Sequence, residues 1–312
     1  MLTIFATPKR FQGLIGTLQR NAIQSWLMLR PQPEVILLGD DAGTADVARE
    51  FNLKHIPQVQ RNEFGTPLVR SLFEIAQRVG KGPLFTYVNS DIILMSDFIQ
   101  AVQQIRFRRF MLTGQRLNLD VTEQISFTEE WEHSLRDRAA QSGELAGPHA
   151  MDYFVFTRDT YTDIPPFGIG RPCWDNWMVY KALNLGIPLI DATGAIMAIH
   201  QNHDYNHHPQ GKEGVYEGPE AQYSLQLIGG RHYAYFMLDL ATWQLTSEGL
   251  RRPKWTRERC DRYLDMMPLA RPQMKIWATP LLNLLRMDNP LPQVASRLQK
   301  IPTRLVRILP RK

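Results

Sequence analysis

The chain has 312 residues, 44% of them hydrophobic and 21% charged, and its 20 glycines and 21 prolines exclude a fibrous or disordered protein. The formal net charge is +5, and the excess of positive charge comes from the C-terminal end, where residues 271–312 carry nine basic side chains and one acidic side chain. Residues 1–270 hold 27 basic and 30 acidic side chains, and this mildly acidic body excludes a uniformly basic nucleic-acid-binding protein.

Cysteine usage and hydropathy indicate where the protein works. The two cysteines, Cys173 and Cys260, form no CxxC pair, which favours a reducing cytoplasm. A charge appears as early as Lys9, with no long apolar run before it, so no signal peptide is predicted. No run approaches the ~18 uncharged apolar residues that a spanning helix needs. We therefore expect a cytoplasmic protein.

The first 90 residues alternate between the period of a strand and the period of a helix. Strands are predicted at 2–7, 35–38, 54–59 and 84–88, and helices at 16–29, 44–51 and 67–79. This order predicts an α/β fold with a mostly parallel central sheet flanked by helices. Ligands of such sheets bind beyond the carboxyl ends of the strands, so Thr7, Asp40 and Asp91 are expected at one edge.

The second half of the sequence is less regular. Strands are predicted at 109–113, 153–157 and 195–199, and helices at 128–141 and from about 175 to 185. A loop with two glycines and three prolines at 164–172 precedes the second of these helices. Residues 209–230 are Gly-rich and are predicted to form a loop that acts as a lid.

Asn89-Ser90-Asp91 lies between an apolar strand and an apolar Ile-Ile-Leu run. A carboxylate there needs a cation, a helix cap or a hydrogen-bond cluster as its partner. One or two protein carboxylates suffice for a magnesium or manganese site when phosphates of the substrate complete the shell. The alternative is a turn in which Asp91 accepts from local amides, and from this motif alone the turn is preferred.

Trp174-Asp175-Asn176-Trp177 follows the Gly/Pro loop at a helix start. A carboxylate placed there acts as a general base if a substrate hydroxyl lies within hydrogen-bond reach. The alternative is that Asp175 or Asn176 simply caps the helix between two core tryptophans, and this motif alone favours the cap.

Four histidines, His200, His203, His207 and His208, cluster after the last predicted strand. Their spacing does not match a closed zinc site. One histidine that completes a metal shell or contacts a phosphate is the preferred interpretation.

Thr7-Pro8-Lys9 at the end of the first strand offers a hydroxyl and a cation to a nucleotide. Asp40 at the end of the second strand offers an acceptor to a base or ribose, or alternatively caps the helix at Thr44. The sequence contains no GxGxxG after the first strand, and no GxxxxGK[ST] or GxSxG, which excludes a dinucleotide fingerprint, a P-loop and a nucleophile elbow.

In their order around the predicted strands, these motifs resemble the nucleotide-sugar-dependent glycosyltransferases of the GT-A fold, closest to family two. The likeness runs from Thr3 to about Tyr205, and the stretches NSDIIL, DYFVF, WDNW and HQNHDY resemble uncharacterised bacterial members. Asn89 stands where the family carries the first carboxylate of its D-x-D motif, so Asp91 remains as the expected metal carboxylate.

The resemblance implies transfer of a sugar from a nucleotide-diphosphate sugar to a saccharide or lipid-linked acceptor hydroxyl, with inversion and with Mn²⁺ or Mg²⁺. The residues expected at the nucleotide sugar are Thr7, Pro8, Lys9, Asp40, Asn89, Ser90 and Asp91. Asp175 is expected to be the catalytic base. The residues expected at the acceptor are Asp152, Trp174 and Asn176, and those expected at the metal are Asp91, His200 and His203.

The expected organisation is a transferase domain at 1–205, with a nucleotide half at 1–110 and an acceptor half at 111–205. A lid and helical extension follows at 206–270, and then a basic amphipathic tail at 271–312. The tail either packs on the body or contacts anionic lipid at the inner face of the membrane.

Two other classes of function remain open. A sugar-nucleotide nucleotidyltransferase requires a Gly-rich basic loop after the first strand, which this sequence lacks. A non-catalytic scaffold with a degenerate site is favoured by Asn89.

Overall fold

The structure, a computed structural model, describes residues 1–203 and 211–285, except for the side chains of residues 211 and 212. These residues form two compact units, Met1–Pro253 and a second unit that begins at Lys254. All the strands named here belong to the first unit.

The strands are β1 (Leu2–Ala6), β2 (Glu34–Leu38), β3 (Lys54–Ile56), β4 (Leu84–Val88), β5 (Ile92–Ile93), β6 (Met111–Thr113), β7 (Arg116–Leu119), β8 (Glu144–Leu145), β9 (Tyr153–Thr157), β10 (Leu189–Gly194), β11 (Ala198–Gln201), β12 (Trp243–Thr246) and β13 (Gly249–Arg251). The helices of the first unit are α1 (Gly13–Met28), α2 (Thr44–Glu50), α3 (Val69–Val79), α4 (Ser96–Gln104), α5 (Trp131–Ser142), α6 (Trp174–Leu185), α7 (Gly211–Tyr216) and α8 (Pro219–Ile228). Those of the second unit are α9 (Arg257–Ala270) and α10 (Lys275–Leu285). Short 3₁₀ helices cover Arg231–Tyr235, Leu238–Leu240 and Pro272–Met274.

Nine strands form the central sheet, in the order β13-β12-β10-β6-β9-β4-β1-β2-β3. The strands β3, β2, β1 and β4 are parallel and adjacent in this order, as in doubly wound α/β sheets. The strand β9 is antiparallel to both β4 and β6, and β13 is antiparallel to β12. This mostly parallel sheet flanked by helices confirms the predicted α/β class.

A second sheet of four strands, in the order β5-β11-β7-β8, lies beside the end of β4. Its strand β11 is antiparallel to β5, with His200 opposite Ile92. The same strand runs parallel to β7, with His200 opposite Asn118. This small sheet carries residues from three distant stretches of sequence to the carboxyl end of β4.

The two faces of the central sheet pack against different helices. Because side chains alternate along a strand, Ile4 and Ala6 of β1 join one core cluster with Trp26 of α1. Phe5 points to the other face and packs edge-on against Phe73 of α3, with ring centroids 5.1 Å apart. Burial of each such side chain contributes about 1.5–3 kcal/mol to folding.

The prediction of a loop at 209–230 is wrong for most of that stretch, because α7 and α8 occupy 211–216 and 219–228. Glycines mark the two ends of α8. Gly218 precedes its first residue, Pro219, and Gly229 follows its last residue with a φ of 106°. Proline at the first helical position and a left-handed glycine after the last are ordinary helix boundaries.

The second unit contains α9 and α10, which pack on each other through part of their length. Thr256 caps α9 by accepting a hydrogen bond from the backbone N–H of Arg259 at 3.2 Å. In the stretches that the structure describes, no helix combines the length and apolarity needed to cross a membrane.

Candidate functional site

Asp91, His200 and His203 converge just beyond the carboxyl end of β4. The Asp91 Oδ2 lies 3.0 Å from Nε2 of His203 and 3.9 Å from Nε2 of His200. One ligand atom from each residue lies within 4.8 Å of the others. The β5–β11 register explains the approach, because it places His200 opposite Ile92, the neighbour of Asp91.

The electrostatics of this cluster suit a cation. Burial alone raises the pKa of Asp91, but the hydrogen bond from His203 and the charges of His200 and Lys9 outweigh it and hold the pKa well below its usual range. Burial lowers the pKa of His200, which favours the neutral imidazole that binds metals. Among the described residues, Asp91 Oδ1 and His200 Nδ1 are buried without a hydrogen-bond partner. One carboxylate and two imidazoles make a ligand set that fits a divalent cation.

A buried amide network holds the backbone of Asp91 in place. Gln201 is fully buried, and its side-chain amide donates to the carbonyl oxygens of Leu18 and Asp91 at 2.8 and 3.0 Å. Its Oε1 accepts from Asn21 Nδ2 at 3.0 Å, and Asn21 Oδ1 accepts from the backbone N–H of Ile125. The sequence analysis missed both residues, although a polar side chain on the buried face of a helix, such as Asn21, signals such a network.

Lys9 lies at the same edge of the sheet, in a turn fixed by Gln19. The Gln19 side chain accepts from the Lys9 backbone N–H at 2.6 Å and donates to the Lys9 carbonyl at 2.8 Å. Surrounding protein lowers the pKa of the Lys9 ammonium, and the charges of Asp91, Arg171 and Asp152 also act on it. Lys9 therefore presents a cation beside the Asp91 cluster.

Asn89 is held by Asp152 rather than turned toward Asp91. Its Nδ2 donates to Asp152 Oδ1 at 2.7 Å, and its backbone N–H donates to the Asp152 carbonyl at 2.9 Å. The other carboxylate oxygen of Asp152 accepts from Arg116 at 2.7 Å, and Arg116 Nε also donates to Asn118 Oδ1. Because β9 is antiparallel to β4, its start meets the end of β4, and Asp152 faces Asn89.

Asp175 sits in the first turn of α6 and lines the same cavity as Asp152. Burial, and then the charge of Asp152, raise the pKa of Asp175 to about 6, against the lowering effect of backbone hydrogen bonds. The helix start is fixed by Trp174, whose ring packs on Tyr87 and Phe154 with centroids 5.2 and 5.0 Å away. A carboxyl whose pKa lies near the working pH is suited to general base catalysis.

The capping alternative for this motif is wrong, because the residue before the helix is Cys173, in the left-handed region with φ 82° and without a side-chain cap. Asp175 Oδ1 instead accepts from the adjacent N–H of Asn176. Asn176 donates to the carbonyl of Phe236 at 3.0 Å. Trp174 and Asn176 are both buried, and their contacts support the helix that carries Asp175.

A polar cavity of about 560 Å³ opens in front of Asp152 and Asp175. Arg116 and Asn118 line it from β7, and Tyr216 lines it from α7. The predicted catalytic base thus faces a space that can receive a second substrate.

The remaining nucleotide-side candidates lie at the same edge but differ in their partners. Asp40 is 65% exposed and accepts from Arg61 at 2.5 Å, and this ion pair lowers its pKa. It does not cap α2, which follows Gly43. Thr7 is half-buried and Pro8 is buried, directly before Lys9. The hydroxyl of Ser90 is buried and has no hydrogen-bond partner within the part of the chain that the structure describes.

Arg171, which the sequence analysis did not single out, joins the Gly/Pro loop to α8. It forms an ion pair with Glu220 at 2.6 Å, and both side chains are largely buried. Asn62 donates to the second oxygen of Glu220 at 2.7 Å. The other two histidines of the predicted cluster, His207 and His208, lie outside the described residues.

No protein-family model matches this sequence, and no curated protein matches it. Solved structures do resemble this chain. A mannosyltransferase, PcManGT from Pyrobaculum calidifontis in complex with GDP-Man and Mn²⁺, is 14% identical and aligns over 96% of this chain and 81% of its own, with a TM-score of 0.44.

Glucosyl-3-phosphoglycerate synthase from Mycobacterium tuberculosis, in complex with Mn²⁺, UDP and phosphoglyceric acid, is 14% identical over 74% of this chain and 79% of its own, with a TM-score of 0.41. A CMP:2-keto-3-deoxy-manno-octonic acid synthetase in complex with CTP is 15% identical over 65% of this chain and 89% of its own, with a TM-score of 0.35.

Proposed function

We propose that this protein is a glycosyltransferase that moves a sugar from a nucleotide-diphosphate sugar to an acceptor hydroxyl. The observation that carries the proposal is the arrangement around Asp152. The charge of Asp152 acts on Lys9, on His200 of the Asp91, His200 and His203 cluster, and on Asp175 at the polar cavity. Cation-binding groups and a carboxylate suited to general base catalysis therefore both lie within electrostatic reach of Asp152, and transfer from a diphosphate leaving group requires both.

On the donor side, Asp91, His200 and His203 would hold a divalent cation such as Mn²⁺ or Mg²⁺. When bound, this ion stabilises the negative charge of the departing diphosphate. Lys9 contributes a second positive charge from a turn that Gln19 holds in place. Asp40, Thr7 and Ser90 are then available to the ribose and base along the same edge.

On the acceptor side, Asp175 accepts the proton of the attacking hydroxyl. Its pKa of about 6 leaves it mostly ionised at neutral pH and still basic enough to help. Asp152 keeps Asn89 and Arg116 in position and by its charge raises the pKa of Asp175. A single displacement on the side opposite the diphosphate inverts the anomeric carbon.

A thermal-shift panel separates this proposal from its two rivals. The full chain is mixed with Mn²⁺ and, in turn, UDP, GDP, dTDP, their sugar conjugates, and the matching nucleoside triphosphates. Stabilisation by a diphosphate and its sugar conjugate supports the transferase. Stabilisation by a triphosphate alone supports a nucleotidyltransferase, and no response to any nucleotide supports a scaffold.

The proposal includes contact with an anionic membrane surface through the tail at 271–312, beyond a transferase domain at 1–205 and an extension at 206–270. On α10, Ile276, Trp277 and Leu281 are exposed by 73%, 41% and 47%. The nine basic residues of 271–312 complement anionic headgroups, each worth about 1 kcal/mol near such a surface. A cytoplasmic transferase so placed reaches lipid-linked acceptors at the inner face of the membrane.

Liposome co-sedimentation tests this contact. The full chain should sediment with vesicles that contain phosphatidylserine, and less so at high salt, where charges are screened. Ile276→Glu together with Trp277→Glu should reduce sedimentation, whereas Leu145→Glu, at a residue of the first unit that is also exposed, should not. Equal sedimentation of all variants would contradict the proposal.

A further inference from the structure

The cavity in front of Asp175 has a charge pattern that selects among acceptors. Its lining includes three carboxylates, Glu144, Asp152 and Asp175, against one guanidinium, Arg116. The Arg116 side chain is engaged by Asp152 at 2.7 Å and by Asn118 at 2.9 Å. Its charge is therefore already directed at a carboxylate of the protein.

The β7–β8 pair explains why these groups share one wall. Side chains two apart on a strand point the same way, so Arg116 and Asn118 of β7 both face the cavity. Leu117 and Leu119, between and beyond them, belong to the hydrophobic cluster on the other face. In the antiparallel register Asn118 lies opposite Glu144, which brings the third carboxylate to the same wall.

The chemistry of this wall suits hydroxyl groups. Carboxylate and amide oxygens accept hydrogen bonds from hydroxyls, and the Asn118 amide also donates them. A phosphate or carboxylate on the acceptor would instead meet Glu144 and Asp175 at short range, where like charges repel strongly. Tyr216, which is 47% exposed, adds an aromatic side chain to the lining of the cavity.

We infer that the cavity formed by Glu144, Asn118, Arg116, Asp152, Asp175 and Tyr216 binds an uncharged saccharide as acceptor and rejects phosphorylated or carboxylated ones. The inference rests on the proposed function, because Asp175 acts as base only if this cavity holds the acceptor. It goes further by naming the chemical class of the acceptor.

Ligand-observed NMR on the full chain tests the inference without requiring turnover. The probes are matched triplets of a methyl hexoside, the methyl hexuronoside and the methyl hexoside 6-phosphate, in the gluco, galacto and manno series. They are measured with Mg²⁺ and a nucleoside diphosphate at pH 8. We expect the neutral member of at least one triplet to bind at least tenfold more tightly than both anionic members.

Variants assign the preference to this wall. Glu144→Lys should reduce the discrimination to less than threefold by improving binding of the anionic members. Glu129→Lys, an exposed position outside the cavity lining, makes the same charge change and should leave the discrimination intact.

An anionic member that binds as tightly as its neutral partner would overturn the inference. Failure of all nine saccharides to bind, in a sample that the nucleoside diphosphate stabilises, would also overturn it. Thermal stabilisation by the nucleoside diphosphate is measured in the same samples and reports the donor side separately. Loss of that stabilisation with the saccharide preference intact would refute the proposed transferase and leave the selectivity of the cavity established.

Discussion

The side-chain amide of Asn89 donates a 2.7 Å hydrogen bond to the carboxylate of Asp152, across 63 residues of sequence. The glycosyltransferase family that the sequence resembles has a carboxylate at the position of Asn89. The contact with Asp152 explains why this chain has an amide there. With aspartate at position 89, two carboxylates would meet at hydrogen-bond distance in a largely buried place. The amide instead satisfies Asp152, and the proposed cation site consists of Asp91 and the two histidines.

Asn89→Asp should therefore destabilise the fold by about 1–3 kcal/mol, because a donor is lost and a like charge is introduced beside Asp152. Thermal or urea unfolding at pH 7.5 measures the change. Asn118→Asp is the matched control, since Asn118 Oδ1 accepts from Arg116 and a carboxylate there gains an ion pair. Equal destabilisation by both substitutions would contradict the role assigned to Asn89.

Titration calorimetry should show Mn²⁺ binding more tightly than Mg²⁺, by tenfold or more. Imidazole nitrogens suit transition metals, whereas Mg²⁺ prefers a shell of oxygens. Asp91→Ala should abolish the heat of Mn²⁺ binding, and His200→Ala should weaken it. His133→Ala removes an exposed imidazole on α5 and should leave it unchanged. Mn²⁺ binding retained in Asp91→Ala would refute the site.

Asp175→Asn should lower the transfer rate by about 10²–10⁴-fold while binding of the nucleoside diphosphate persists. In the wild type the rate should rise with pH through about pH 6, because Asp175 works as a base only when ionised and its pKa is raised to about 6. Donor consumption followed at several pH values measures both effects. A rate that is flat from pH 5 to 8 would argue against Asp175 as the base.

The same substitution should stabilise the folded protein at high pH. The pKa of Asp175 is raised from an ordinary 3.8 to about 6, so the folded state holds this proton more tightly than the unfolded chain. Ionisation then costs folded stability, with no cost below about pH 4 and the full cost, about 3 kcal/mol at most, above about pH 6. Asp175→Asn should accordingly raise Tm at pH 8 and leave it nearly unchanged at pH 4. An unchanged Tm at pH 8 would contradict the burial and the charge that raise the Asp175 pKa.

Gln201→Ala should destabilise the fold by about 2–4 kcal/mol, because the carbonyls of Leu18 and Asp91 and the amide of Asn21 lose a buried partner. It should also weaken Mn²⁺ binding, since the Asp91 carbonyl loses the 3.0 Å side-chain hydrogen bond and retains the longer, 3.4 Å bond from the backbone N–H of residue 201. Urea unfolding and calorimetry measure the two effects. Gln222→Ala, an exposed glutamine on α8, is the control and should change neither.

The sequence alone was sufficient for the order of strands and helices in the first 90 residues and for the α/β class. Strand and helix periods are local properties, readable from neighbouring residues. The same logic placed Asp91 after β4 and Asp175 at a helix start. The prediction from local pattern is wrong at α7 and α8, because glycine marks the ends of helices as well as loops.

Only the tertiary structure decided which of these residues meet. The antiparallel direction of β9 brings Asp152 to Asn89, and the register of β11 brings His200 and Gln201 to Asp91. Direction and register depend on packing between segments 63 to 180 residues apart, as in the Asn89–Asp152 and Asn21–Gln201 hydrogen bonds. No local pattern encodes such pairings, because they are set by the burial of whole strands against one another.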